Sequence, residues 1–161
     1  MGATVTPRAP AGPNPMRTLV IGLAVACVGA TALALPESGM AASKKPRVTV
    51  RSSPYGPMLF DGRRQAIYLF TRDAKDKTRC YGACARDWPP YIVKRTPIAE
   101  GDADQDLIGT IRRRDGRLQV TYRGNPLYFY VNEGPGQVFC HRVVSFGGKW
   151  LVVRPNGRAA P

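Results

Sequence analysis

Along much of this chain apolar and polar residues alternate with a period of two, the period of a strand that turns one face to a core. Val48 and Val50 begin the pattern. The apolar run Met58-Leu59-Phe60 then meets the turn pair Asp61-Gly62 and a second apolar run, Ala66 to Phe70. Because glycine tolerates the positive φ of a tight turn, this stretch is predicted as a hairpin. Leu118 to Tyr122, the loop Arg123-Gly124-Asn125 and Pro126 to Tyr130 predict another. Ile108 to Arg112 is expected to join Leu118 to Tyr122 through Asp115-Gly116, with Pro97 to Asp106 as an acidic loop before it. Val138 to Phe146 and Trp150 to Val153, divided by Gly147-Gly148, read as the last strands. The only helix predicted lies near residues 83–88. The expectation is an all-β fold of about seven or eight short strands, a small antiparallel barrel or sandwich.

Two of these runs share a grammar. Tyr68, Phe70 and Asp73 have the same spacing as Tyr128, Tyr130 and Glu133 sixty residues on. On a strand, residues two apart share a face, so each pair of rings covers one side of a sheet. This points to an internal duplication, or to two strands with one structural task. Each acid is expected to close a strand-end turn by accepting backbone N–H bonds. The functional alternative is a matched pair of carboxylates acting as acid and base.

The start of the chain breaks the pattern. From Met16, Arg17 precedes an apolar stretch from Thr18 to Leu35 and small residues around Gly39 to Ser43, the layout of a secretory signal cleaved after Ala41. Residues 1–15 read as an extension from an upstream start. Retention of residues 18–35 as an anchor, or lipidation at Cys27, are the alternatives. Residues 42–54 are then a basic linker and first strand, 55–157 the exported domain and 158–161 a tail.

Downstream of Ala41, 22 Lys and Arg stand against 10 Asp and Glu (24 minus 2, and 11 minus 1), a net of +12. Such a field favours anionic partners. For an exported protein these are lipid surfaces and acidic envelope polymers. No signature of a specific nucleic-acid reader is present. The densest basic cluster is Arg112, Arg113 and Arg114, with Arg117 and Arg123 close by. It is a candidate anion-binding patch, or else a charged edge that blocks sheet-to-sheet association.

Export also means an oxidising compartment, in which thiols pair. Cys80, Cys84 and Cys140 remain after removal of the leader. Linking Cys80 to Cys84 would close a five-residue loop, worth roughly 2 kcal/mol by chain entropy, and linking Cys84 to Cys140 a longer one worth about 4 kcal/mol. Stability alone does not choose between them. Three thiols and an imidazole, Cys80, Cys84, Cys140 and His141, could instead hold zinc or copper. Neighbours on a strand face opposite ways, which works against Cys140 and His141 binding one ion. No constellation of a catalytic cysteine or other enzyme stands out, and no resident cofactor is expected.

Several motifs occur in a fixed order: Tyr68-x-Phe70-x-x-Asp73, Cys80-x-x-x-Cys84, Trp88-Pro89-Pro90, then Gln119-Val120-Thr121-Tyr122-x-Gly124-x-Pro126-Leu127-Tyr128. In this the chain resembles a family of secreted or lipid-anchored bacterial proteins built on a Tyr-x-aromatic-x-x-Asp motif and described as a secreted repeat of unknown function. The resemblance covers about Met58 to Gly157. It implies export and a β-rich domain, and assigns no reaction. It also implies that Cys80 pairs with Cys84, which leaves Cys140 as an extra and the cysteine half of the motif without a duplicate. The functional expectation is a non-enzymatic binding or structural domain of the envelope with a basic surface. The competing class is a metal or redox protein using Cys80, Cys84 and His141.

Overall fold

The computed structural model describes residues 45–161. The expected leader and the extension before it lie outside the described residues. The strands are β1 (Arg47–Arg51), β2 (Met58–Asp61), β3 (Tyr68–Phe70), β4 (Ile92–Val93), β5 (Ile98–Glu100), β6 (Ile108–Arg112), β7 (Leu118–Tyr122), β8 (Asn125–Pro126), β9 (Val143–Ser145) and β10 (Gly148–Val152). One α-helix, α1 (Ala83–Asp87), stands where it was expected, and a 3-10 turn spans Gln105–Leu107. The strands form three sheets, in the orders β2-β1-β5, β3-β10-β9 and β4-β7-β6 with β8 on β7. The fold is all-β and sandwich-like, without a closed barrel.

Local grammar and long-range pairing part company at three places. Ile108 to Arg112 and Leu118 to Tyr122 do form the expected hairpin, paired from Ile108↔Tyr122 to Arg112↔Leu118. The Asp61-Gly62 hairpin does not zip up. It is held by a bridge between Phe60 and Ala66 and by the Ile67 amide donating to Leu59 O, after which β3 leaves β2 and pairs with β10. The acidic loop contains β5, which runs parallel to β1 at Val48↔Ala99, so the sheets are not purely antiparallel. In the long run from Val138 to Phe146 only Val143–Ser145 is strand, because Cys140 to Arg142 turn back onto Trp150.

Burial explains why β2 and β3 read as unbroken apolar runs. Every residue of both strands is buried. Met58, Phe60, Tyr68 and Phe70 join one core with Trp88, Tyr128, Trp150 and Val152. Leu59, Ile67 and Leu69 face a second core with Val48, Tyr91, Val120, Leu127 and Val153. Strands with apolar side chains on both faces lose the one-sided alternation of a surface sheet.

The two motif-bearing segments meet at the centre. The Tyr68 amide donates to Tyr128 O (2.9 Å) and the Tyr128 amide to Tyr68 O (3.0 Å). Each segment then pairs with the end of the other half of the chain. Phe70 lies opposite Trp150 and Tyr68 opposite Val152, while Tyr91 N donates to Leu127 O and Phe129 N to Pro89 O. The halves therefore exchange strands across an approximate two-fold centred on Tyr68 and Tyr128.

Candidate functional site

The side chains around that centre repeat the symmetry. Trp88 and Trp150 stack face to face, 3.9 Å between ring centroids and 2° from parallel. Tyr68 meets Trp88 edge-on at 5.4 Å, as Tyr128 meets Trp150 at 5.2 Å. Phe70 stacks on Trp150 at 4.2 Å, and Tyr130 tilts against Trp88 at 4.8 Å. Each second motif aromatic thus lies on the tryptophan of the opposite half. Such offset and edge contacts are favourable beyond the area they bury.

The motif acids cross over in the same way. Tyr68 Oη donates to the carboxylate of Glu133, 2.8 and 2.9 Å from its two oxygens. Tyr128 Oη donates to Asp73 Oδ2 at 2.6 Å. Each acid also closes its own loop. Asp73 Oδ1 accepts from Arg79 N at 2.7 Å, and Glu133 Oε1 accepts from Phe139 N at 2.6 Å and Cys140 N at 3.1 Å. Since the Tyr128 proton goes to Asp73, Thr78 is the donor in its 2.6 Å contact with Tyr128 Oη. Burial, with the facing carboxylate second, pushes both tyrosines well above the usual phenol range. Burial also raises Asp73, against the hydrogen bonds and the arginines nearby that favour its charged form.

The cysteines obey the two-fold too. Cys80 stands twelve residues past Tyr68, as Cys140 stands past Tyr128. Cys140 is therefore the counterpart of Cys80 and not an extra, and the cysteine half of the motif has a duplicate after all. What the second half lacks is the partner. Cys80 is bonded to Cys84, while Val144 occupies the second position and Cys140 is a buried free thiol. Burial, and then Glu133, push that thiol up to about 12. It is a poor nucleophile in this setting. His141 faces elsewhere, accepting from Val152 N at Nδ1 (3.3 Å) and lying 3.1 Å from Pro161 O at Nε2. Among the described residues no three His, Cys, Asp or Glu side chains converge to hold a metal ion. Cys80, Cys84, Cys140 and His141 are not brought together as a ligand set.

The arginine cluster separates into different tasks. Arg113 turns inward and is 3% exposed, so it is not part of a surface patch. It donates to Gln119 Oε1 (2.5 Å), to Cys80 O (2.8 Å) and to Thr78 Oγ1 (3.4 Å), which fastens the β6–β7 hairpin to the disulfide loop. Its Nε has no hydrogen-bond partner. Arg114 covers the Tyr81 ring at 4.9 Å from one side of the same loop. Arg117 is paired with Asp115 at 2.6 Å, and Arg112 donates to Gly116 O. Arg123 lies away from these, donating to Asn156 O at 3.0 Å. There it borders an open cleft of about 540 Å³ whose wall also holds Lys75, Arg158 and Asp73. Lys75 and Arg158 carry no motif that a sequence reading could have caught, whereas the shared spacing of Cys80 and Cys140 was in plain view.

A family model described as a secreted repeat of unknown function matches the chain twice, at residues 49–91 and 109–154. The chain belongs to this family of secreted repeats. No curated protein and no solved structure matches it. The two matched stretches coincide with the two halves of the approximate two-fold, so in this secreted repeat the repeats are interlocked and not strung in a row. No helix of the described residues is long and apolar enough to cross a membrane.

Proposed function

We propose that this secreted repeat is a non-enzymatic binding or structural domain of the cell envelope, acting in the periplasm or outside the cell, and that it engages anionic lipid surfaces or acidic polymers through its basic surface. The supporting observation is unneutralised exposed charge. Among the described residues 21 Lys and Arg stand against 10 Asp and Glu (24 less Arg8, Arg17 and Lys44; 11 less Glu37). Of these basic residues Arg113 alone is buried. Arg47 pairs with Glu100, Arg63 with Asp61 and Arg117 with Asp115, and, Arg95 aside, most of the remaining cations are exposed and in no ion pair among the described residues. The motif acids, which an acid–base enzyme would need free, are committed to tyrosine hydroxyls and backbone amides.

Cosedimentation of residues 42–161 with phosphatidylcholine vesicles, with and without phosphatidylglycerol, tests this reading. Binding is expected only to the anionic vesicles and should weaken steeply as salt shortens the screening length below about 10 Å. Equal binding to neutral vesicles, or retention unaffected by salt, would overturn it.

A further inference from the structure

Three cations of the domain converge on one cleft. Lys75, Arg123 and Arg158 share the wall of the 540 Å³ cleft beside β3 and β10, and Leu69, Leu151 and Ala159 line the same cleft. None of the three is in an ion pair among the described residues. The one acid of the lining, Asp73, already accepts from Tyr128 Oη and Arg79 N. Asp76 lies close by, on the wall of the neighbouring hollow, where Lys75 and Arg123 also reach.

The site is built, not an accident of long side chains. A Cβ on Gly157 would sit 2.5 Å from Arg123 Cβ, and one on Gly124 would sit 2.7 Å from Lys75 Cγ. Both glycines have positive φ, +76° and +77°, so they supply a backbone shape and a close approach that other residues would not. The stems of Lys75 and Arg123 are laid against bare backbone, and Asn156 O holds the Arg123 guanidinium. Prepositioned cations lose less freedom when they take up a ligand.

We propose that this cleft is a binding site for a phosphate ester carried on an apolar group, with Lys75, Arg123 and Arg158 on the phosphate and Leu69, Leu151 and Ala159 against the apolar part. Arginine gives a planar, bidentate hold on phosphate and lysine a point charge. The cleft falls within the usual span of small-ligand sites, about 300 to 1,000 Å³. The inference rests on the anion-binding reading above, and narrows it from a diffuse surface to one place.

The phosphate could belong to a lipid in a bilayer or to a soluble ester, and the test separates them. Monomeric short-chain phosphatidic acid, inorganic phosphate and phosphatidylcholine vesicles containing phosphatidic acid are titrated into the wild-type protein and into Lys75→Ala, Arg158→Ala and Lys94→Ala, the last a surface cation outside the cleft. Calorimetry gives the affinities, and amide shifts give the location. The short-chain ligand should move the amides of Gly157 and Ala159. Lys75→Ala and Arg158→Ala should each weaken it roughly tenfold, the scale of one hydrogen bond to a charged group, while Lys94→Ala stays near wild type. Lys75 and Arg158 are exposed, so their loss leaves the fold intact, which the unchanged amide spectrum elsewhere verifies. Binding to vesicles as well as to the monomer marks a bilayer source, and binding to the monomer alone marks a soluble ester. Equal weakening by all three substitutions, affinity for inorganic phosphate equal to that for the ester, or binding to vesicles with none to the monomer would overturn the cleft and leave the anion-binding reading standing. Failure of the wild type to bind either the anionic vesicles or the short-chain ligand at low salt would remove that reading itself.

Discussion

Tyr68 illustrates how much of this domain hangs on single polar atoms. Its hydroxyl is the side-chain donor to a buried carboxylate, Glu133, that also orders the loop leading to Cys140. Tyr68→Phe should lower stability by about 1.5 to 3 kcal/mol, the range for a hydrogen bond to a charged group. Tyr128→Phe should lower it less, because Asp73 is less deeply buried than Glu133. The sign of the pH dependence follows from the raised proton affinities. Folded Tyr68 and Cys140 keep their protons where the unfolded chain releases them, from about 8.5 for the thiol and about 10 for the phenol. The unfolded state then binds fewer protons than the native one, so stability must fall as pH rises. For Cys140 the fall extends up to about 12. Denaturant melts of the wild type and Tyr68→Phe, taken from neutral pH upward, should show the wild type losing more of its neutral-pH stability above about 10 than the variant does. Parallel curves would contradict this assignment.

At the scale of elements, the two halves answer the same problem differently between Cys and Trp. In the first half Cys80 and Cys84 are joined and α1 carries the chain to Trp88, while in the second β9 pairs with β10 and delivers Trp150. The short bridge closes only five residues, so Cys84→Ser should cost about 2 kcal/mol in the chain-entropy model. The loss should open α1 first, detectable as faster amide exchange at Arg86 and Trp88, whose amides close the helix onto Gly82 O and Cys84 O. Slower or unchanged exchange there would refute it. Local signals in the sequence located α1, the β6–β7 hairpin and β3, because each depends on residues close in the chain, whereas of the expected strand from Pro126 to Tyr130 only Pro126 lies in β8 and Tyr128 makes isolated bridges to Tyr68 and Pro90. The Asp61-Gly62 stretch misled because turn chemistry specifies a reversal, not the partner of the strand that follows. β3 was free to pair with β10, eighty residues away, once both of its faces could be buried there. The parallel pairing of β5 with β1 has no local signature.

For the whole molecule, the exchange of strands makes each half incomplete. β3 needs β10, and the Leu127 to Phe129 segment needs the Pro89 to Tyr91 segment. Unfolding should therefore be a single transition in which far-UV circular dichroism and amide exchange in both halves report the same midpoint. Two separable midpoints would mean the halves are independent. The duplication was legible as a spacing of tyrosines and acids. Its interlock was not, since a repeat in sequence says nothing about whether neighbours stack in a row or cross. Nor did the run of arginines reveal that Arg113 would be taken inside, because only tertiary structure places Gln119 Oε1 and Cys80 O within its reach.

The chain contains two tryptophans, and both lie in the stack at the crossing point, 3.9 Å apart. Its indole emission therefore originates at one spot, the seam where the halves lock. The protein carries a native optical gauge of that seam, sensitive to any event that pries the halves apart.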